Sequence, residues 1–409
     1  MKKKVIVLIF CLMILINIFS NTFATIEEDK INSSNVGVYN LDNMELLYGQ
    51  NQNEKISIAS ITKVMTAIVA IENISDVNEK VIIDYDTILG KVDLDLVVAG
   101  IYDNEELTYY DLIATMLIPS GADSATYLAC NLFENEEKFI QKMNEKAKEI
   151  GMDSTSFSNS TGLDDENNYS TINDVAKMMK YALNISVLKE IMSLDSYTTS
   201  DGSITVNNTI SKTCKRFGIE KEYIIGGKTG TTEDAGLCLA SFSSDEGVNI
   251  LTIVTGSSMY STNPYNIIDS EYLYSEIINN YSMKKIISNG DVVYQLPSTC
   301  TKQDNVLIYS KEDILAYTDF VDESKIVINY EGLEMLDYTI KKGEKVGEIS
   351  IYYNNKLVNK IDATVDEELK FSIVKWAKMN KEPIIILCII LVIIVIAIRA
   401  LTKENNRKK

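Results

Sequence analysis

The sequence predicts an α/β (α+β) domain, then a smaller all-β sandwich, then a C-terminal transmembrane helix. Three observations predict this order. Strand-like and helical runs are mixed from about 30 to 280, short alternating or β-branched runs take over from about 283 to 370, and no charge interrupts Ile384 to Ile398.

Taken in order, residues 1–24 read as an export signal: a basic head (Lys2, Lys3, Lys4), an apolar stretch from Val5 to Phe19, and a small-x-small cleavage site at Thr22-Phe23-Ala24. Residues 25–282 form the mixed domain. Val36 to Tyr39 reads as a strand. Ser57 to Ile71 carries Ile61, Val64, Met65, Ile68 and Val69 at the spacing of a buried helix. Further helices are expected at Asp111 to Leu117, Ala122 to Phe133 and Glu136 to Ile150, and strands at Gly236 to Phe242 and Val248 to Val254. In residues 283–370 the runs at 291–294, 305–309, 325–328 and 345–352 give the sandwich. Residues 371–383 read as a charged, partly helical stalk, 384–401 as the anchor and 402–409 as a basic tail. Arg399 can snorkel, and Trp376 suits the opposite interface. Retained positive charge then leaves the tail in the cytoplasm and the rest outside.

The net charge of −19 over 409 residues, without a basic stripe, speaks against nucleic acid as a partner. Histidine is absent, and Cys130, Cys214, Cys238 and Cys300 lack paired spacing, so neither a metal nor another cofactor is expected. Most of these thiols read as buried fillers, with a bridge such as Cys214 to Cys238 left open.

Without histidine, a serine nucleophile must take its base elsewhere. Ser60-Ile61-Thr62-Lys63 offers one. At the first turn of a helix Ser60 lies beside free N–H groups, and Lys63, three residues on, shares its face. Ser120, on the Pro119-Ser120-Gly121 break between two helices, is a rigidly placed hydroxyl able to relay a proton. Lys228, Thr229, Gly230 and Thr231 lie on a glycine-rich strand and make a plausible clamp for a carboxylate.

In this order the three motifs resemble the serine-dependent penicillin-recognising enzymes, whose elements are Ser-x-x-Lys, Ser-x-Asn and Lys-Thr-Gly. More narrowly the chain is similar to the D-alanyl-D-alanine carboxypeptidases among the low-molecular-mass penicillin-binding proteins, including the stretch Ile150 to Thr171 with Phe157-Ser158-Asn159-Ser160-Thr161-Gly162-Leu163-Asp164-Asp165. The resemblance implies a DD-peptidase/β-lactamase-like fold and acyl transfer from peptidoglycan stem peptides ending in D-Ala-D-Ala, with β-lactams as covalent inhibitors. It makes Ser60 the nucleophile, Lys63 the base, Ser120 the relay backed by Lys228, the N–H groups of Ser60 and Thr231 the oxyanion hole, and Thr229 and Thr231 the carboxylate site. Arg216, just upstream, either adds charge there or is simply solvated. Lys228 and partial burial are expected to lower the Lys63 pKa. One position departs. Ala122 stands where the family has asparagine, which implies slower turnover or altered specificity. The alternatives are an endopeptidase acting on cross-links, a β-lactamase, although no Glu-x-x-Leu-Asn element is evident, and a non-catalytic wall-binding protein.

Overall fold

The computed structural model describes residues 26–93, 96–245 and 247–407, so the export signal predicted for 1–24 lies outside the described residues. The chain divides into two units, Met1–Tyr281 and Ser282–Lys409.

In the first unit β1 (Asn35–Asn40) and β2 (Glu45–Gln50) form a hairpin, and a 3-10 turn at Ala59–Ile61 feeds α1 (Thr62–Asn73). Strands β3 (Lys80–Ile82) and β4 (Glu106–Thr108) flank a long loop. Helices α2 (Tyr109–Leu117), α3 (Ala122–Asn131), α4 (Glu136–Glu149), α5 (Ile172–Leu183) and α6 (Ser186–Ser193) come next. A small hairpin of β5 (Ser196–Thr198) and β6 (Thr205–Asn207) leads to α7 (Thr209–Phe217), then β7 (Gly226–Thr232), β8 (Gly236–Asp245), β9 (Val248–Ser257) and α8 (Tyr265–Asn280).

Five strands make one antiparallel sheet in the order β2-β1-β9-β8-β7, which brings the N-terminal hairpin beside strands that come more than two hundred residues later. Strand alternation explains how it is covered on both faces. Leu251 and Ile253 enter the main core, on the side where Tyr39 donates to Asn173 of α5 at 2.6 Å. Ile250, Thr252 and Val254 point the other way, where the Tyr274 hydroxyl of α8 accepts from the Thr252 N–H. Helix α1 is buried from Thr62 through Ala70, on every side, as suits a helix through the middle of a domain. Its N-terminal turn is therefore held rigidly against β7.

The second unit contains β10 (Ser282–Ile287), β11 (Val292–Pro297), β12 (Asn305–Tyr309), β13 (Ile314–Thr318), β14 (Ile326–Gly332), β15 (Lys345–Tyr353) and β16 (Lys356–Thr364). They pair antiparallel as β10-β13, β11-β12 and β14-β15-β16 around one apolar core that includes Val306, Ile308, Ile349 and Ile351. Helix α9 (Ile373–Met379) falls within the stretch read as a stalk, and α10 (Lys381–Arg407) contains one apolar segment, Lys381–Arg399, long enough to cross a membrane.

Candidate active site

The site is built where the N-terminal turn of α1, the break between α2 and α3, and the edge strand β7 converge. A capping box fixes the start of α2, in which the Thr108 hydroxyl accepts from the Asp111 N–H and the Asp111 carboxylate accepts from the Thr108 N–H. At the other end of α2, Ser120 adopts a left-handed backbone (φ 74°), a conformation unusual for serine, before Gly121 caps α3. Ala59, just before Ser60, is left-handed as well (φ 47°). Strain of this kind persists only where the surroundings enforce it. Here they do. A Cβ on Gly162 would lie 1.9 Å from the Ala59 carbonyl oxygen, and one on Gly230 would lie 3.1 Å from the Ser60 nitrogen, so two backbones press on the turn that presents Ser60.

Lys63 Nζ donates to Ser60 Oγ at 2.9 Å and to the Thr161 carbonyl at 2.7 Å. Across the cleft, Lys228 Nζ donates to Ser120 Oγ at 2.9 Å and to the Thr229 carbonyl at 2.8 Å. Each lysine is 1 % exposed. Burial pulls the Lys63 pKa down to about 7, against the opposing pull of the Asp123 carboxylate. Lys228 is held well below the ordinary lysine value, first by burial and then by repulsion from Lys63. The expected cause for Lys63 therefore changes. Burial, complete rather than partial, dominates, and the repulsion between the amines weighs on Lys228.

Ser60, Lys63, Ser120, Thr229, Gly230 and Thr231 line one open cleft, with Thr209 and Val97 also in its wall. Arg216 is not in that wall. It lies exposed on α7 with its guanidinium 5.3 Å from the Phe217 ring, facing a neighbouring cavity that shares Thr209, Thr229 and Thr231. Ala122 is fully buried, and its N–H donates to the Val97 carbonyl at 2.7 Å. Next to it, the Asp123 carboxylate accepts from the N–H groups of Ala99, Gly100 and Ile101, at 2.8, 2.7 and 3.1 Å, which holds the loop that carries Val97 against the cleft. Among the described residues Cys130, Cys214, Cys238 and Cys300 are free thiols, so Cys214 and Cys238 are not bridged, and no cluster of His, Cys, Asp or Glu is placed to hold a metal.

Sequence reasoning missed two neighbours. Thr161 contributes its carbonyl to Lys63, and its loop is wound around the Asn159 side chain, whose oxygen accepts from the N–H groups of Gly162 and Leu163 at 2.7 and 3.1 Å. Thr209, at the start of α7, shares a hydrogen bond with Thr229 at 2.6 Å between hydroxyl oxygens. The run Phe157 to Asp165 is visible as a signature, but a backbone acceptor leaves no side-chain trace. For Thr209 no sequence signal stands out.

The family model for D-alanyl-D-alanine carboxypeptidase matches residues 22–259, more than half of the chain. The chain belongs to this family. It is a serine-type peptidase relative and hence a hydrolase, and residues 281–370 match the C-terminal domain of penicillin-binding protein 5. The D-alanyl-D-alanine carboxypeptidase DacF of Bacillus subtilis is 25% identical over 338 residues, covering 80% of this chain and 84% of the relative. A D-alanyl-D-alanine endopeptidase of Haemophilus influenzae is 34% identical, over only 38% of this chain and 52% of its own length. Among solved structures, penicillin-binding protein 5 of Haemophilus influenzae shares the two-domain fold, with a TM-score of 0.61 at 20% identity over 83% of this chain and 98% of that one. Penicillin-binding protein D2 of Listeria monocytogenes, solved in an ampicillin-bound form, is 26% identical with a TM-score of 0.51, over 60% of this chain and 97% of its own.

Proposed function

We propose that this carboxypeptidase removes the terminal D-alanine from peptidoglycan stem peptides through an ester on Ser60, and that penicillins acylate the same oxygen. The observation that carries the reading is the pair of contacts, each 2.9 Å, in which a buried lysine reaches a serine that opens on one cavity. With a pKa near 7, Lys63 is largely deprotonated above neutrality, and its lone pair can take the Ser60 proton as the oxygen attacks the carbonyl of the D-Ala-D-Ala bond. The new C–O bond forms, negative charge collects on the carbonyl oxygen, and the N–H groups of Ser60 and Thr231 meet it. The C–N bond then breaks. Ser120, held by Lys228, hands its proton to the departing amine and is reprotonated by the proton that Lys63 took from Ser60, so Lys63 is neutral again. Lys63 then takes a proton from water as the water oxygen attacks the ester carbonyl; the C–O bond to Ser60 breaks and that proton passes to Ser60 Oγ. Thr229, Gly230 and Thr231 seat the terminal carboxylate, with Thr209 fixing the Thr229 hydroxyl.

No cofactor enters this scheme. The residue at 122 bears on rate rather than on mechanism, because the Thr161 carbonyl accepts a hydrogen bond from Lys63. The enzyme is exported by its N-terminal segment and held by α10, with both folded units outside the cytoplasm. The test is to incubate the protein with a fluorescent penicillin and with a D-Ala-D-Ala pentapeptide. Stable labelling, absent in Ser60→Ala, together with D-alanine release is the expected result. Rapid loss of label would indicate a β-lactamase, and absence of labelling a wall-binding protein without chemistry.

A further inference from the structure

We propose that the end of the β-rich unit from which α10 departs is a lipid-docking face, seated in the headgroup layer of the membrane that α10 crosses. This docking rests on the reading of α10 as the anchor.

The first observation is how short the joint is. Helix α9 ends at Met379 and α10 begins at Lys381, and the Ile384 N–H already donates to the Asn380 carbonyl, so a single residue separates the helices. Nor is α9 a free tether. The Lys302 N–H donates to the Lys370 carbonyl and the Ser372 N–H to the Cys300 carbonyl, both at 2.8 Å, while Lys375 Nζ donates to the Gln303 carbonyl and the Asp304 carboxylate, at 2.6 and 2.7 Å. The first part of the predicted stalk, through Lys375 of α9, is thus stapled to the β-domain. From Met379 to the uncharged run at Ile384 is five residues, about 8 Å of helix. The polar layer on each side of a bilayer is only about 5 to 8 Å deep. A domain stapled to α9 therefore has no room to stand clear of the headgroups.

The second observation is what this end displays. Ile373, Val374 and Trp376 of α9 are 68%, 61% and 40% exposed, and Met335 and Tyr338, on the loop after β14, are 56% and 46% exposed. Tyr338 packs edge-on against Phe371, with ring centroids 4.7 Å apart, and the Leu336 carbonyl of the same loop accepts from the Thr299 N–H, whose hydroxyl touches the Met379 sulfur at 3.4 Å. The loop and the helix therefore form one apolar face around the root of α10. Water alone would not favour it. Lys375 turns back to the domain, whereas Lys378 and Lys381 remain exposed at the level where lipid phosphates would lie. Glu334 and Glu382 at the same end keep the seating shallow, since their carboxylates have to stay hydrated. An aromatic pair and a tryptophan beside lysines at the edge of an apolar span are the composition that a membrane interface selects.

Trp376 is the only tryptophan in the chain, so its fluorescence reads this face directly. The full chain is reconstituted into phosphatidylcholine and phosphatidylglycerol vesicles, flotation is checked first, and quenching by acrylamide is compared with quenching by lipids brominated near the carboxyl end of the acyl chain. The same measurement on Trp376→Phe/Tyr338→Trp, and on Trp376→Phe/Met335→Trp should the first variant misfold, moves the reporter to the β-domain loop. The expected result is blue-shifted emission, loss of acrylamide quenching and gain of bromolipid quenching at both places. A chain that floats while the loop reporter stays open to acrylamide and untouched by bromolipid overturns the docking face alone. Protection from acrylamide without bromolipid quenching assigns the face to a second protein and also overturns it. A chain that does not float removes the anchor reading, and the docking face with it.

Discussion

The two serine–lysine pairs have the same 2.9 Å separation but opposite origins. Ser60 and Lys63 are three residues apart, and one helical turn brings them together. Ser120 and Lys228 are separated by 108 residues and meet only because β7 lies against the break that precedes α3. The first pair is a local device, robust as long as its turn is intact. The second reports whether the sheet and the helical half are correctly docked. Injury to the turn should therefore stop bond formation, whereas injury to the docking should slow the later proton transfer to the leaving amine.

Lys63→Arg gives the largest break. Arginine keeps the charge but cannot release its proton, so acylation should fall by about two to four orders of magnitude, the usual worth of a general base. Stopped-flow labelling with a fluorescent penicillin measures it. Gly162→Ala comes next, since its Cβ would meet the Ala59 oxygen at 1.9 Å from a backbone at φ 85°. A loss of roughly 1–3 kcal/mol in thermal unfolding is expected, with acylation falling in parallel. A variant with unchanged Tm and labelling would show that the turn is not pressed as described.

Ser120→Ala tests the second pair and should cost about a hundredfold in D-alanine release, the lower end of proton-relay effects, while penicillin still labels Ser60. Equal loss in both assays would merge the two pairs into one function. Ala122→Asn is the smallest change. One added hydrogen bond in a desolvated site is worth about 1 kcal/mol, or roughly fivefold in turnover, and unchanged kinetics would mean that the Thr161 carbonyl already compensates.

The difference between the pairs also sets what can be read in advance. Ser60 and Lys63 are legible because their spacing is itself the geometry, and the Lys-Thr-Gly strand because glycines in a β-branched run have few other uses. The helices at Asp111, Ala122 and Glu136 lie close to their expected bounds because they alternate at helical period. Helices α5 to α8 have no counterpart in the sequence reading, nor do β10, β13 and β16. In β10 the sequence Ser282-Met283-Lys284-Lys285 hides the alternation under long amphipathic chains. The Thr161 carbonyl is illegible for a different reason: every residue has one. Arg216 stands out by charge alone, and charge does not say on which side of β7 a helix will carry it.

The proposed catalysis turns on Lys63 being an uncharged amine when Ser60 attacks. The direct measurement is the pH dependence of the acylation rate with benzylpenicillin, followed by intact-protein mass spectrometry. Burial depresses the Lys63 pKa to about 7, so the base is protonated and silent below neutrality and free above it. The rate should rise through an apparent pKa near 7, and the adduct should map to Ser60. A rate that stays flat across neutrality, or an adduct that forms at an undiminished rate in Lys63→Arg, would contradict an amine base.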